Sequence, residues 1–141
     1  MSELNLSQAL ALVESALAAS RAHGFRPMSI VVVDGANRPL VSVREEAATE
    51  LRTQIALGKA SAALGMGCST RQLAKRAQEM PVFFASIAAT AKPAFIAQTG
   101  GLLVVDAEGH VLGAVGASGG SGDEDEAILL AGIAGIGLGY R

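Results

Sequence analysis

The stretch Gly100-Gly101-Leu102-Leu103-Val104-Val105-Asp106-Ala107-Glu108-Gly109-His110-Val111-Leu112-Gly113-Ala114-Val115-Gly116-Ala117-Ser118-Gly119-Gly120-Ser121-Gly122-Asp123-Glu124-Asp125-Glu126 decides the fold. Two apolar runs, Leu102 to Val105 and Val111 to Val115, flank a turn made of Asp, Glu and Gly, so the chain reverses there as an antiparallel pair. The turn at Ser118 to Gly122 is of another kind. Its glycines and serines permit left-handed backbone and leave N–H groups free, and four acids then open an apolar, alanine-containing segment with the charge that a helix N-terminus favours. The strand-to-helix junction is therefore a candidate binding edge.

Outward from this stretch the pattern alternates between helical and extended signals. Leu6, Leu10, Val13 and Leu17 recur at helical spacing, Asn5 can cap the start with Gln8 three residues on, and Gly24 ends the run, which predicts a helix over 6–23. Met28 to Val33 and Pro39 to Val43 read as two strands joined at Asp34-Gly35-Ala36-Asn37-Arg38. A helix is predicted over 47–64, with Leu51, Ile55 and Ala62 on its buried face and Gly65-Met66-Gly67 closing it. Ser69 or Thr70 caps a short helix over 71–79, Pro81 interrupts it, and a further helical stretch runs near 82–90. Pro93 is expected to return the chain to strand, with three strands in the region up to Ala117 and a last helix over 123–138. Strands clustered in hairpins argue for an α+β fold, an antiparallel sheet with helices packed on it. No linker or repeat divides residues 1–141, so a single domain is expected.

Composition narrows the function classes. Half of the residues are hydrophobic, only 17% are charged and the mean hydropathy is +0.41, which is apolar for a small chain that must cover its own core and points to surface buried between subunits. A net charge of −2 offers no electrostatic footprint for nucleic acid. No apolar run reaches the roughly 20 residues of a membrane span. No secretory leader is visible and Cys68 stands alone, so no intrachain disulfide forms and the cytoplasm is the expected compartment.

The combination of Asp34-Gly35, Arg44, Lys59-Ala60-Ser61-Ala62, Gly100-Gly101 and Gly116-Ala117-Ser118-Gly119-Gly120 followed by Asp123 to Glu126 resembles the GlcG/HbpS family, also called haem-degrading or DUF336. The resemblance spans about Leu6 to Leu138, and the Ser-Gly-Gly turn before an acidic helix start is its most specific part. It implies a profilin-like fold with a central antiparallel sheet and helices on its faces, assembled into homo-oligomers. It also implies a small ligand such as haem or a related tetrapyrrole, members including haem-binding and redox-sensing proteins, a domain attached to some cobalamin adenosyltransferases, and proteins encoded beside catabolic enzymes. Fold follows from such membership more firmly than function does.

The candidate site residues are Arg44, Arg52, Lys59, Gly100, Gly101, Ser118, Gly119, Gly120 and Asp125. Ser118 to Ser121 can present N–H groups to an anion, or simply turn the chain, and the acids after them favour a capping role or a cationic or hydroxyl-bearing ligand. Lys59 follows Arg52 by seven residues, so both share a helical face and can grip a carboxylate. Among apolar neighbours Lys59 is also the candidate catalytic residue, a base or amine in a small isomerase or lyase acting on an organic acid; the plainer reading is a snorkelling lysine. Arg44 precedes Glu45 and Glu46, which favours a surface ion pair. His23 reads as a helix C-terminal residue and His110 as a turn residue, and neither has metal-ligand spacing, while Met66, Cys68 and Met80 read as core filler before soft ligands. No dedicated metal site is expected.

Overall fold

The computed structural model describes residues 3–141. Five helices and five strands follow in the order α1 (Leu6–His23), β1 (Ser29–Asp34), β2 (Pro39–Arg44), α2 (Leu51–Met66), α3 (Thr70–Glu79), α4 (Pro81–Thr90), β3 (Gly101–Val105), β4 (Val111–Ser118), α5 (Gly122–Gly135) and β5 (Gly139–Tyr140). The strands form one antiparallel sheet in the order β2-β1-β4-β3-β5. The α+β reading is therefore correct.

Three layers explain why β1 and β3 are buried at every position. Ile30, Val32, Leu102, Val104, Val115 and Ala117 face α1 and α5 and join Leu12, Ala16, Ile128, Leu129 and Ile133 in one core. Their neighbours Val31, Val33, Leu103, Val105 and Ala114 face α2 and pack on Ala56, Ala60 and Ala63. Strands covered on both sides lose the alternation of a half-buried strand. A third cluster, Ala62, Leu73 and Phe84 with Phe95 against them, seats α3 and α4 beside α2.

Local signals place most helix ends. Asn5 and Gln8 form the expected reciprocal cap of α1, and Gly24 ends it at φ 70°. Ser69 caps α3, and Pro81 takes the first position of α4, where its missing N–H costs nothing.

Three expectations need correction. Residues 94–100 form no strand: this segment lies on α2, where the Ile96 N–H donates to Gly58 O at 3.1 Å, and the Ile96 side chain fills the space that a Cβ at Gly58 would need. The third strand of that region is instead β5, which follows α5 and pairs with the edge of β3. The sheet-facing stripe of α2 is Ala56, Ala60 and Ala63, whereas Leu51 is 56% exposed and Ala62 packs toward α3. Small residues are required there because α2 rests directly on glycines: a Cβ at Gly101 would lie 2.6 Å from Lys59 O, and one at Gly116 would meet Ala56 O and, at 2.8 Å, Ala60 N. Finally, α2 starts at Leu51 rather than 47, and α5 stops at Gly135 rather than 138.

Candidate functional site

The close approach of α2 to β4 sets up a site at the end of the sheet. Ala114, Gly116 and Ser118 lie on the β4 face toward α2, and the Ser-Gly-Gly turn then carries the chain to α5. Between this turn, α2 and the 94–100 segment lies a cavity of about 580 Å³. That volume falls within the range of small-molecule pockets, about 300–1,000 Å³. Ile55 and Ile96 supply its apolar wall, and Arg52, Lys59, Ser118, Asp125, Gln98 and Thr99 its polar one.

Lys59 and Asp125 are the buried charges of the site, 4% and 1% exposed. The ammonium donates to Asp125 Oδ2 at 3.0 Å and to Ala117 O at 3.0 Å. The other carboxylate oxygen, Oδ1, accepts the Gly120 N–H at 2.9 Å. Burial pushes the Asp125 carboxyl above the usual carboxylate range, against the pull of Lys59, the Gly120 N–H and Arg52. Gly100 makes the pair possible, since at φ 125° a Cβ would lie 2.8 Å from Lys59 Nζ and 3.0 Å from Asp125 Cβ.

Arg52 reaches the same place from one end of α2. Its guanidinium donates to Ser118 Oγ at 3.2 Å, and it has no carboxylate partner among the described residues. One of five guanidinium N–H groups is thus engaged, and the half-buried head keeps donors for a planar anion.

Two N–H groups of the Ser118–Gly122 turn are already engaged within the chain. Gly120 N–H is taken by Asp125, and Ser121 N–H by Glu124 Oε1 in a capping box whose other half is Ser121 Oγ accepting from Glu124 N. Gly119 is a packing glycine over Pro27 and Met28. Of the four acids that follow, Glu124 caps, Asp123 and Glu126 hold Arg71 at the surface, and Asp125 alone turns inward.

Arg52, Lys59, Ser118, Gly120 and Asp125 are thus brought together, with Gly100 behind them and Gly101 under α2. Arg44 is elsewhere. It pairs with neither Glu45 nor Glu46; its guanidinium donates to the carbonyls of Glu45, Glu46 and Ala48, closing the loop before α2, while Glu45 accepts the Met28 N–H. His23 stacks on Phe25 at 5.0 Å, and His110 sits beside Asp106 in the β3–β4 turn. Met66 and Cys68 pack around Leu73 and Phe84, and Met80 is exposed. Sequence reading missed Ile96, Gln98 and Thr99, because a segment taken for a strand gives no reason to look for a cavity wall. Their signal was Pro93 followed by a short apolar run that turns polar at Gln98 and Thr99.

With this geometry in view, comparison with known proteins is informative. The family described as haem degrading protein HbpS-like matches residues 4–134. The chain belongs to the HbpS-like family. No curated protein sequence gives a match. Among solved structures, HbpS is 30% identical to this HbpS-like chain with a TM-score of 0.81, over 95% of this chain and 90% of that one. The chain of a PduOC:heme complex has a TM-score of 0.86 at 23% identity, covering 97% of both chains. ORFY of Klebsiella pneumoniae, a DUF336 protein, has a TM-score of 0.87 at 23% identity over 97% and 92% of the two chains. The two latter likenesses speak for the fold alone.

Proposed function

We propose that this HbpS-like chain is a small-ligand-binding protein that seats a carboxylate-bearing organic molecule in the cavity between α2 and the start of α5. The observation that carries this reading is the Arg52 guanidinium, half-buried on the cavity wall beside Lys59 and held by a hydroxyl instead of a carboxylate. Such a fork binds a planar carboxylate through two parallel hydrogen bonds. Haem, whose propionates are such carboxylates, is the ligand that family membership favours.

The lining residues suit one part of haem and not the other. Arg52 would hold a propionate and Ile55 and Ile96 would lie against the macrocycle, but no histidine, cysteine, methionine or tyrosine lines the cavity to ligate iron. Haem bound here would be held by its periphery. Titrating haemin and following the Soret band tests the assignment: Arg52→Met is expected to weaken binding by about tenfold or more, the worth of a charge-assisted hydrogen bond. An unchanged affinity would remove the ligand from this cavity.

Self-association belongs to the same proposal. Met80, Val82 and Phe83 expose 47%, 80% and 46% of their surface at the start of α4, a helix whose one buried residue is Phe84. An apolar surface of this kind on a small chain favours burial against another copy. Native mass spectrometry should give a multiple of 14.2 kDa, and a monomer at micromolar concentration would contradict it.

A further inference from the structure

We infer that the cavity selects a carboxylate carrying a hydroxyl on the adjacent carbon, a 2-hydroxy acid, with an apolar remainder. This rests on the reading that a carboxylate occupies Arg52 and adds what stands next to it. Arg52 and Lys59 start about 10 Å apart along α2, at about 1.5 Å per residue. Their heads nevertheless converge, because one bonds Ser118 Oγ and the other Ala117 O, consecutive residues of β4. A group bound at the guanidinium therefore has the ion pair of Lys59 and Asp125 as its neighbour.

That pair offers both halves of a hydrogen-bonding site. Two of the three ammonium donors are engaged, by Ala117 O and Asp125 Oδ2. Two lone pairs of the Asp125 carboxylate accept, from Lys59 and from Gly120, and two remain. Both residues line the cavity. A hydroxyl accepts from the ammonium and donates to the carboxylate at once. A keto oxygen would satisfy only Lys59, and a methylene, such as the one beside each haem propionate, neither, so the site distinguishes three acids that differ at a single carbon and matches a hydroxy acid better than haem. The cavity is larger than the acid group itself, and Ile55 and Ile96 provide for an apolar substituent.

Mandelate, phenylacetate and phenylglyoxylate form the matched set, and isothermal titration of the full chain is the measurement. Mandelate is expected to bind about tenfold or more tightly than either of the others, as for a site built to pair a ligand hydroxyl. In Asp125→Asn, which keeps the shape of the side chain and removes its charge, the preference should fall to about threefold or less. Should that variant not fold, the comparison on the unmodified chain decides alone. Equal binding of the three acids, no binding by any of them, or a preference that survives in a folded Asp125→Asn protein would each overturn the inference. If haemin binding depends on Arg52 while the three acids bind alike, the carboxylate site stands and only the hydroxyl reading falls. If Arg52→Met leaves haemin and mandelate unaffected, both fall.

Discussion

Replacing Lys59 by methionine leaves the Asp125 carboxylate buried with the Gly120 N–H as its remaining hydrogen-bond partner. Removing one partner of a buried ion pair costs about 3–5 kcal/mol, because the charge left behind is no longer compensated. For a chain of this length that corresponds to a fall in Tm of roughly 10–15 °C. Asp125→Leu should cost a similar amount by stranding the ammonium. The double variant Lys59→Met/Asp125→Leu carries no stranded charge and leaves only Ala117 O and Gly120 N–H without partners. Its cost should therefore fall short of the sum of the single costs by roughly 3 kcal/mol, at the upper end of measured couplings. Urea unfolding of the four proteins at constant m-value measures the cycle. Acidity supplies a second readout. A carboxyl whose folded pKa lies above its unfolded value favours the folded state below the unfolded value, and that contribution is lost as pH rises through the folded one. Burial already raises Asp125, and loss of Lys59 removes its largest opposing influence. The penalty of Lys59→Met should accordingly be larger at pH 8 than at pH 5. Single costs that add to within about 0.5 kcal/mol, or a penalty independent of pH, would refute the account of Lys59 and Asp125 as a mutually compensating pair.

Three further outcomes follow from the geometry. Gly116→Ala places a methyl against the α2 backbone at Ala56 O and Ala60 N, atoms that cannot move aside singly, so it should lower stability by about 1–3 kcal/mol or more in denaturant unfolding, although alanine is the smallest possible addition. Arg44→Met removes the donor to three loop carbonyls and should cost about 1–2 kcal/mol of stability while leaving haemin affinity unchanged, which a titration beside a melting curve would check. The Arg38 backbone N–H holds the Asp34 carboxyl below the usual carboxylate range, opposed by burial and assisted by Ala36 N–H and the Arg38 guanidinium. A carboxyl lowered in this way stabilises the fold above its unfolded pKa, and the contribution is lost as pH falls through the folded value. The stability gap between the native chain and Asp34→Asn should thus be full at pH 7 and close below about pH 4.

Much of the fold was legible because local physics wrote it. Asn5 with Gln8, Ser69, Pro81, Gly24 and the Asp106–Gly109 turn each act over a few residues, and each ends or reverses an element where the sequence places it. Where the reading of local pattern missed, a long-range contact had decided the outcome. Residues 94–97 look extended and apolar, yet the Ile96 N–H bonds to Gly58 of α2, pairing with β4 begins with Gly100 O accepting from Ala117 N–H, and β5 forms only because the chain after α5 returns to the free edge of β3. Leu51 has the composition of a core residue but stands outside, since glycines at 101 and 116 bring the α2 backbone onto the sheet and leave room there only for alanine.

The site divides in the same way. By itself the sequence determined the α+β class, the family, and that Arg52 and Lys59 share one helical face, because the period of a helix is a property of the chain alone. Which of four consecutive acids turns inward could not be read from Asp123-Glu124-Asp125-Glu126. Only the tertiary structure chose Asp125, by placing Gly100 and Ala117 so that the Lys59 ammonium, sixty-six residues away, meets that carboxylate and no other. A charge is buried where its partner is, and the partner's position is set by how the layers pack.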